Sequence, residues 1–459
     1  MRFVLAFLFF SWFGFSQNIQ ELSYNEFLGF VKKHHPMVKS ANLEVSVAQA
    51  NLVAARGGFD PKIEVDYDKK QFKNSEYFSI LNSSFKIPTW YGIELKASFD
   101  NSEGIFINPE NTQPNQGLTS FGLIIPVGQG LFINQRMADL RKAKIQIQLS
   151  QEQRKLQAIE VLYNASVAYF TWKRNYSEAQ LYANYLKNAE TRFEGVSSLI
   201  KNGDKPAIDS VEAGIIVRNR KLNLEDCQLK LQKSKLELAT FLWLENNIPL
   251  ELQDTIIPEE KIENTIKETL KSNEMLLQNN SIENHPKIVS LQRKLAILEV
   301  DRKLKANSLL PKIDLGYHYL SEPNTFSDTN SNNYKIGANF SFPLFLRKER
   351  GNLQVAKFKI QETNYILDVE RLQLKNKINA QQTEIISLDK QRILIANLVR
   401  DYSIMLQSEE RLFSFGESSI FFINIRENSL VGSQLSALNL ENRFLISNIE
   451  LFKIMANPD

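Results

Sequence analysis

One phrase is written twice in this chain. "FDPKIEVDYDK" begins at Phe59 and "LLPKIDLGYHY" at Leu309, so that Pro-Lys-Ile, an acid, an aliphatic residue, a variable residue and Tyr recur with Pro61 and Pro311 250 residues apart. The neighbours repeat as well. Pro36 stands 25 residues before Pro61 in "HHPMVKSANLEVSVAQAN", and Pro286 stands 25 before Pro311 in "NHPKIVSLQRKLAILEVD". Proline suits the first turn of a helix, where its missing N–H costs nothing. Apolar residues at helical spacing follow each one, up to Gly57 or Leu310. The pairs His34-His35 and Asn284-His285 are read as helix starts rather than as metal ligands. Self-similarity at a fixed offset implies a fold built from two copies of one unit.

The copies continue past the phrase. Each runs through strand pattern into a long helix, a break and a second helix. The breaks are "KNGDKPAID" around Gly203 and "SFGESSIFF" around Gly416, 213 residues apart, and Ala143 and Ala356 share that offset. The long helix is expected from about Gln135 to Lys201, roughly 67 residues or ~100 Å at 1.5 Å per residue, with a counterpart from about Arg350 to Phe415. Two shorter helices, of about 22 residues after Pro36 and about 40 after Asp204, together approach the same length. The arithmetic predicts two short helices stacked beside one long one. Leu149, Leu156, Tyr163 and Phe170 form a seven-residue stripe, and Leu388, Ile395 and Tyr402 form another that Arg392 interrupts. Such seams also suit an ordinary antiparallel coiled coil, so the strands must separate the readings.

The strands alternate. Ile63, Val65 and Tyr67 alternate with Glu64, Asp66 and Asp68; Tyr91, Ile93, Leu95, Ala97 and Phe99 with Gly92, Glu94, Lys96 and Ser98. Ile313, Leu315, Tyr317 and Tyr319 alternate with Asp314, Gly316 and His318; Tyr334, Ile336, Ala338, Phe340 and Phe342 with Lys335, Gly337, Asn339 and Ser341. One apolar, aromatic face and one charged or small face is the pattern of a barrel with lipid outside and water inside. A half-buried soluble strand alternates too. "YFSILNSSFKI" alternates poorly, which leaves open whether four strands or six per protomer enter a barrel, and the extra hairpin of the first repeat has an alternative place outside the membrane. Its turn "IPTWYG" offers Trp90 and Tyr91 as membrane-interface aromatics.

Composition closes other routes. A formal charge of +3 with no basic block argues against nucleic acid. The single Cys227 permits no internal disulfide, and with four histidines no zinc cluster is expected. No phosphate loop, metal-ligand cluster or nucleophile elbow is present, so neither an enzyme nor a cofactor is expected. "MRFVLAFLFFSWFGFS" reads as a secretory leader over residues 1–16, too short to span a bilayer as a helix. The first repeat then covers 17–245 with strands at about 60–127 and a tip turn near 203, a polar insert containing "PEEKIENTIKETLK" covers 246–284, and the second repeat covers 285–459 with strands at about 311–343 and a tip turn near 416.

Neither four nor six strands enclose a wide pore, and open sheet edges are not tolerated in lipid. In its duplicated order, its helix lengths and the phrases "GDKPAIDSVEA" and "RLFSFGESSIFFINIREN", essentially the whole mature chain resembles the TolC-type outer-membrane efflux protein family. That resemblance implies an α+β membrane protein: a homotrimer whose shared β-barrel lies in outer-membrane lipid and continues as a long periplasmic antiparallel α-helical barrel. It implies a passive exit duct of an efflux or type I secretion system, served by an inner-membrane pump and a periplasmic adaptor, or membrane fusion, protein. The insert would be equatorial, and the turns at Gly203-Asp204 and Gly416-Glu417 would be the periplasmic tips. The rival reading is a soluble periplasmic coiled-coil adaptor.

One departure stands out. Family members carry acids six and nine positions after the second tip glycine; here those positions are Phe422 and Ile425, while Asp209 and Glu212 occupy the matching places after Gly203. The expectation is an apolar constriction from Phe421 or Phe422, and packing of these rings against neighbouring helices is the alternative. Asp209 and Glu212 share a helix face, either toward a lumen or as carboxylates favoured in a first helical turn.

Overall fold

The computed structural model describes residues 20–203, 206–262, 282–323 and 332–456. The leader, Asp204, most of the insert segment "PEEKIENTIKETLK" and the middle of the Ser321–Asn333 loop lie outside the described residues. In chain order the elements are β1 (Gln20–Leu22), α1 (Tyr24–His34), α2 (Pro36–Gly57), β2 (Lys62–Phe72), β3 (Ser75–Pro88), β4 (Glu94–Glu103), β5 (Leu118–Pro126), α3 (Gln135–Lys201), α4 (Ile208–Ala239), β6 (Ile256–Pro258), α5 (Pro286–Asn307), β7 (Lys312–Ser321), β8 (Tyr334–Ser341), α6 (Arg347–Ser414) and α7 (Ile420–Met455). The chain divides into two units, Ala41–Leu156 with Ile282–Gln373, and Met1–Ser40 with Gln157–Ser281 and Leu374–Asp459.

The first unit holds one antiparallel sheet of six strands in the order β2-β3-β4-β5-β7-β8. Register makes its two faces unlike. Ile63, Phe85, Ala97, Phe121, Tyr319 and Tyr334 pair in succession across all six strands, and Ile87, Leu95, Leu123, Tyr317 and Ile336 form the next row on that face. The opposite face carries the row Lys62, Lys86, Lys96, Gly122, His318 and Lys335. The poorly alternating segment is therefore a full member of the sheet. Its Ile80 falls on the polar face, paired with Asp68 and Ser102, and that is what blurs its pattern. The β2–β3 link is a two-residue turn with Lys73 and Asn74 both left-handed (φ 50° and 58°), as the twist of a tight hairpin requires. Every residue of β2 and of β8 is exposed. These edge strands have one sheet neighbour each among the described residues.

The second unit is helical around an aromatic core. Tyr24, Phe27, Tyr169, Phe170 and Trp172 are all at most 1% exposed and pack with Leu238, Leu388 and Leu445. Tyr24 and Phe27 come from α1, which Ser23 caps by accepting from the Glu26 N–H. The Tyr169 hydroxyl donates to the Leu22 carbonyl (2.6 Å) and accepts from the Glu259 N–H (3.1 Å), which ties both segments of the small parallel β1–β6 pair to α3. Burial raises both Tyr24 and Tyr169 far above the ordinary tyrosine range. Arg392, which broke the heptad stripe, lies 4.3 Å over the Phe444 ring, and burial lowers its pKa. A cation on an aromatic face keeps such a stripe closed.

Three local readings meet the structure directly. His35 and His285 each accept a backbone N–H two residues on, from Met37 (3.2 Å) and Lys287 (3.1 Å), which is helix capping. α3 spans Gln135–Lys201. α4, expected at about 40 residues, has 32, because the chain leaves the helix after Thr240 and folds back, with Leu250 donating to the Leu242 carbonyl and Leu244 to that of Ile248.

Candidate functional site

Both tip turns end a helix on a left-handed glycine. Gly416 has φ +79°; its N–H donates to the Phe413 carbonyl and that of Glu417 to Leu412, a Schellman cap. Gly203 has φ +81° and donates to Ile200. Pro206 precedes α4 after one break, and Ser419, with extended backbone, occupies the position before α7 after the other.

The second-repeat tip residues divide by helical position. Ile420 and Ile423 are 2% exposed and Asn424 7%, while Phe421, Phe422 and Ile425 are 55%, 49% and 41% exposed. Phe421 and Phe422 touch each other edge to face at 5.6 Å. The two rings thus stand away from their own chain's core. Glu417 is exposed, Asp209 is half-buried in the first turn of α4, and Glu212 accepts from the Asn424 amide at 3.2 Å. Glu212 is thereby committed to α7, three residues from Asp209 but with a partner inside the chain.

Behind the tips lies a charge cluster that sequence reasoning missed. Glu427 is 1% exposed and receives Arg192 (3.0 Å) and Arg220 (3.8 Å); Arg192 also reaches Glu410 (3.6 Å), and Arg220 donates to Asn428 (2.7 Å). Four helices, α3, α4, α6 and α7, meet in this one network. Tyr185 lies beside it, its ring 5.7 Å from Arg220 and its hydroxyl donating to Gln434, and its pKa is pushed up to about 12 by burial and then by the Glu427 charge. The signal was legible: Glu427 falls four after Ile423 and three before Leu430, so an acid occupies the apolar stripe of α7.

Trp90 and Tyr91, read from the sequence as membrane-interface aromatics, sit at the β3–β4 turn. Trp90 stacks on Phe59 (5.7 Å), takes the Arg141 guanidinium on its ring (5.5 Å) and accepts from Asn134 through its carbonyl, whereas Tyr91 is 63% exposed. Gly92, at φ +77°, makes that turn possible. Trp90 is thus a packing residue, while the Tyr91 ring is exposed.

A lipid-patterned sheet and paired helix-tip turns in one chain are the geometry that comparison with known proteins has to explain. The sequence model of the family described as outer membrane efflux protein matches residues 31–242 and 277–457. This chain belongs to the outer membrane efflux protein family. Solved structures share its fold: the outer membrane channel CmeC of Campylobacter jejuni (13% identity, 94% of this chain and 85% of that one, TM-score 0.65), the open state of the Neisseria gonorrhoeae MtrE outer membrane channel (13%, 94% and 88%, 0.65) and the outer membrane protein VceC of Vibrio cholerae (13%, 94% and 96%, 0.64). No curated protein matches the sequence. As a member of the outer membrane efflux protein family the chain is an outer-membrane transport protein, and the family is one of channels rather than enzymes. That sets aside the soluble adaptor.

Proposed function

We propose that this outer membrane efflux protein is the passive exit duct of a tripartite efflux or type I secretion system. Three copies share one β-barrel in outer-membrane lipid, and their helices form a barrel in the periplasm. An inner-membrane pump supplies cargo and energy, and a periplasmic adaptor protein meets the tips at Gly203-Asp204 and Gly416-Glu417. The leader is removed after Ser16, the repeats span 17–245 and 285–459, and the 246–284 insert is equatorial.

The observation that carries this reading is the sheet. One apolar row, from Ile63 to Tyr334, crosses all six strands, while the two edge strands have one neighbour each among the described residues. In hydrocarbon an open edge costs several kcal/mol for each unpaired backbone group, so closure by further copies is the physical way to keep this surface in lipid. At the tips, the exposed pair Phe421 and Phe422 forms the apolar constriction, which gates by resisting wetting. Asp209 serves the first turn of α4.

Membrane fractionation followed by sizing in mild detergent is expected to give an outer-membrane trimer; a monomer in the aqueous fraction refutes the duct. Single-channel recording is expected to show raised conductance for Phe421→Ser with Phe422→Ser. Unchanged conductance in the singles and the double rejects the phenyl gate.

A further inference from the structure

We infer that the wall of the assembly holds eighteen strands, with β2 of each copy pairing to β8 of the next in the register that β5 and β7 use inside the chain. The inference rests on the trimeric duct reading and deepens it.

The internal repeat supplies the register. β2 and β7 open with the same Pro-Lys-Ile phrase, and β5 and β8 are the strands that lead into the two long helices, with Pro126 and Pro343 closing them. Inside the chain the end of one ribbon already pairs with the start of the other: Ile124 faces Gly316, Ile125 faces Leu315 and Pro126 faces Asp314, and beyond them Val127 donates to Ile313 and Gln129 to Pro311. Carrying that seam forward one repeat, with the prolines aligned, places Phe342 opposite Val65, Ser341 opposite Asp66, Phe340 opposite Tyr67 and Asn339 opposite Asp68 of the neighbouring copy. Side-chain direction alternates along a strand, so the seam must satisfy both faces at once, and it does. Phe342 and Phe340 join Val65 and Tyr67 on the apolar side. Ser341 and Asn339, both hydrogen-bonding and uncharged, meet the carboxylates of Asp66 and Asp68 on the polar side. β8 contains no acid to repel them.

The same alignment identifies what is extra. β2 and β5 correspond to β7 and β8, so the β3–β4 hairpin is inserted into the first ribbon. Its outward residues Phe85, Ala97 and Phe99 continue the apolar face, and it pairs with β2 from Ser75 to Lys86 and with β5 from Glu94 to Asp100. It is part of the wall rather than an appendage. Two equal ribbons per copy would close a ring of twelve strands; this chain closes one of eighteen through a single head-to-tail contact repeated three times. At about 4.8 Å between strands and about 40° of tilt, the backbone diameter rises from roughly 24 Å to roughly 36 Å.

The test places cysteines in the full-length chain carrying Cys227→Ser and oxidises isolated outer membranes. Ser341→Cys combined with Asp66→Cys is expected to give covalent trimers on a denaturing gel, since directly opposed Cβ atoms lie about 4.5–5.5 Å apart. Neither single variant should do so, and neither should Ser341→Cys with Val65→Cys, which points to the other face. Cross-linking through Ser341→Cys with Glu64→Cys in place of Asp66→Cys overturns the register by two residues. Electron cryo-microscopy of the detergent-purified trimer is expected to count eighteen strands. A trimer with twelve overturns this inference and leaves the duct standing, whereas a chain that never trimerises overturns the duct itself.

Discussion

Tyr169 and Tyr317 are the same residue type under opposite conditions. Tyr169 is fully buried among Tyr24, Phe27 and Trp172, and both hydrogen-bonding roles of its hydroxyl are filled. Tyr317 is 45% exposed on a sheet face shared with Leu123 and Ile336 and stacks on Tyr334 at 6.1 Å. In the aromatic core of the helical unit the rings are hidden from water, and in the sheet they are displayed. Rings displayed in this way are stable against an apolar neighbour, lipid or protein. Among the described residues no helix is long and apolar enough to cross a membrane.

The comparison breaks most sharply at its buried end. Trp172→Ala is expected to cost about 3–5 kcal/mol by opening a cavity in the aromatic core, read as a lowered unfolding midpoint of the detergent-solubilised protein. On the sheet, Tyr317→Arg is expected to cost about 2–4 kcal/mol, the depth-dependent penalty for a charge facing hydrocarbon, read as reduced assembly into heat-modifiable oligomers. Asn82→Arg, exposed on the polar face opposite Asp66 and Asp100, is the control and should stay within about 0.5 kcal/mol; equal losses at both positions would remove the distinction between faces. The smallest effect is electrostatic. Lys235 donates to Asp254 at 2.7 Å and holds that carboxyl below the usual aspartate range. Its contribution is therefore full above the ordinary aspartate pKa of about 3.9 and is lost as pH falls through the depressed value. Asp254→Asn should unfold slightly earlier than the parent at pH 6 and coincide with it in strong acid.

Legibility followed periodicity. The long α3 could be read to its end residues because Gln135–Lys201 contains no proline and stops at the "NG" of Asn202-Gly203. Both ribbons were visible wherever polar and apolar residues alternate strictly, and β3 was obscured because Phe78 and Ile80 lie on the polar side. The 11-residue α1 was missed, although it supplies Tyr24 and Phe27 to the core, because so short a helix carries little pattern. The pairing of Gln20–Leu22 with Ile256–Pro258 joins segments more than 200 residues apart and leaves no local trace. At the tips, sequence spacing singled out Phe421, Phe422, Asp209 and Glu212. It could not say that Glu212 is already engaged by Asn424, nor that Glu427 is buried between two arginines, because both facts depend on which helices become neighbours.

The tip glycines have one further consequence. A Cβ built at Gly203 or Gly416 would meet nothing within 4 Å, yet both residues have strongly positive φ. What these corners exclude is handedness rather than bulk. L-alanine would be strained there, whereas its mirror image, introduced by semisynthesis, would settle into the same backbone well and restrict the unfolded chain besides. The bends farthest along each hairpin are thus sites where stereochemistry alone sets what can be tolerated.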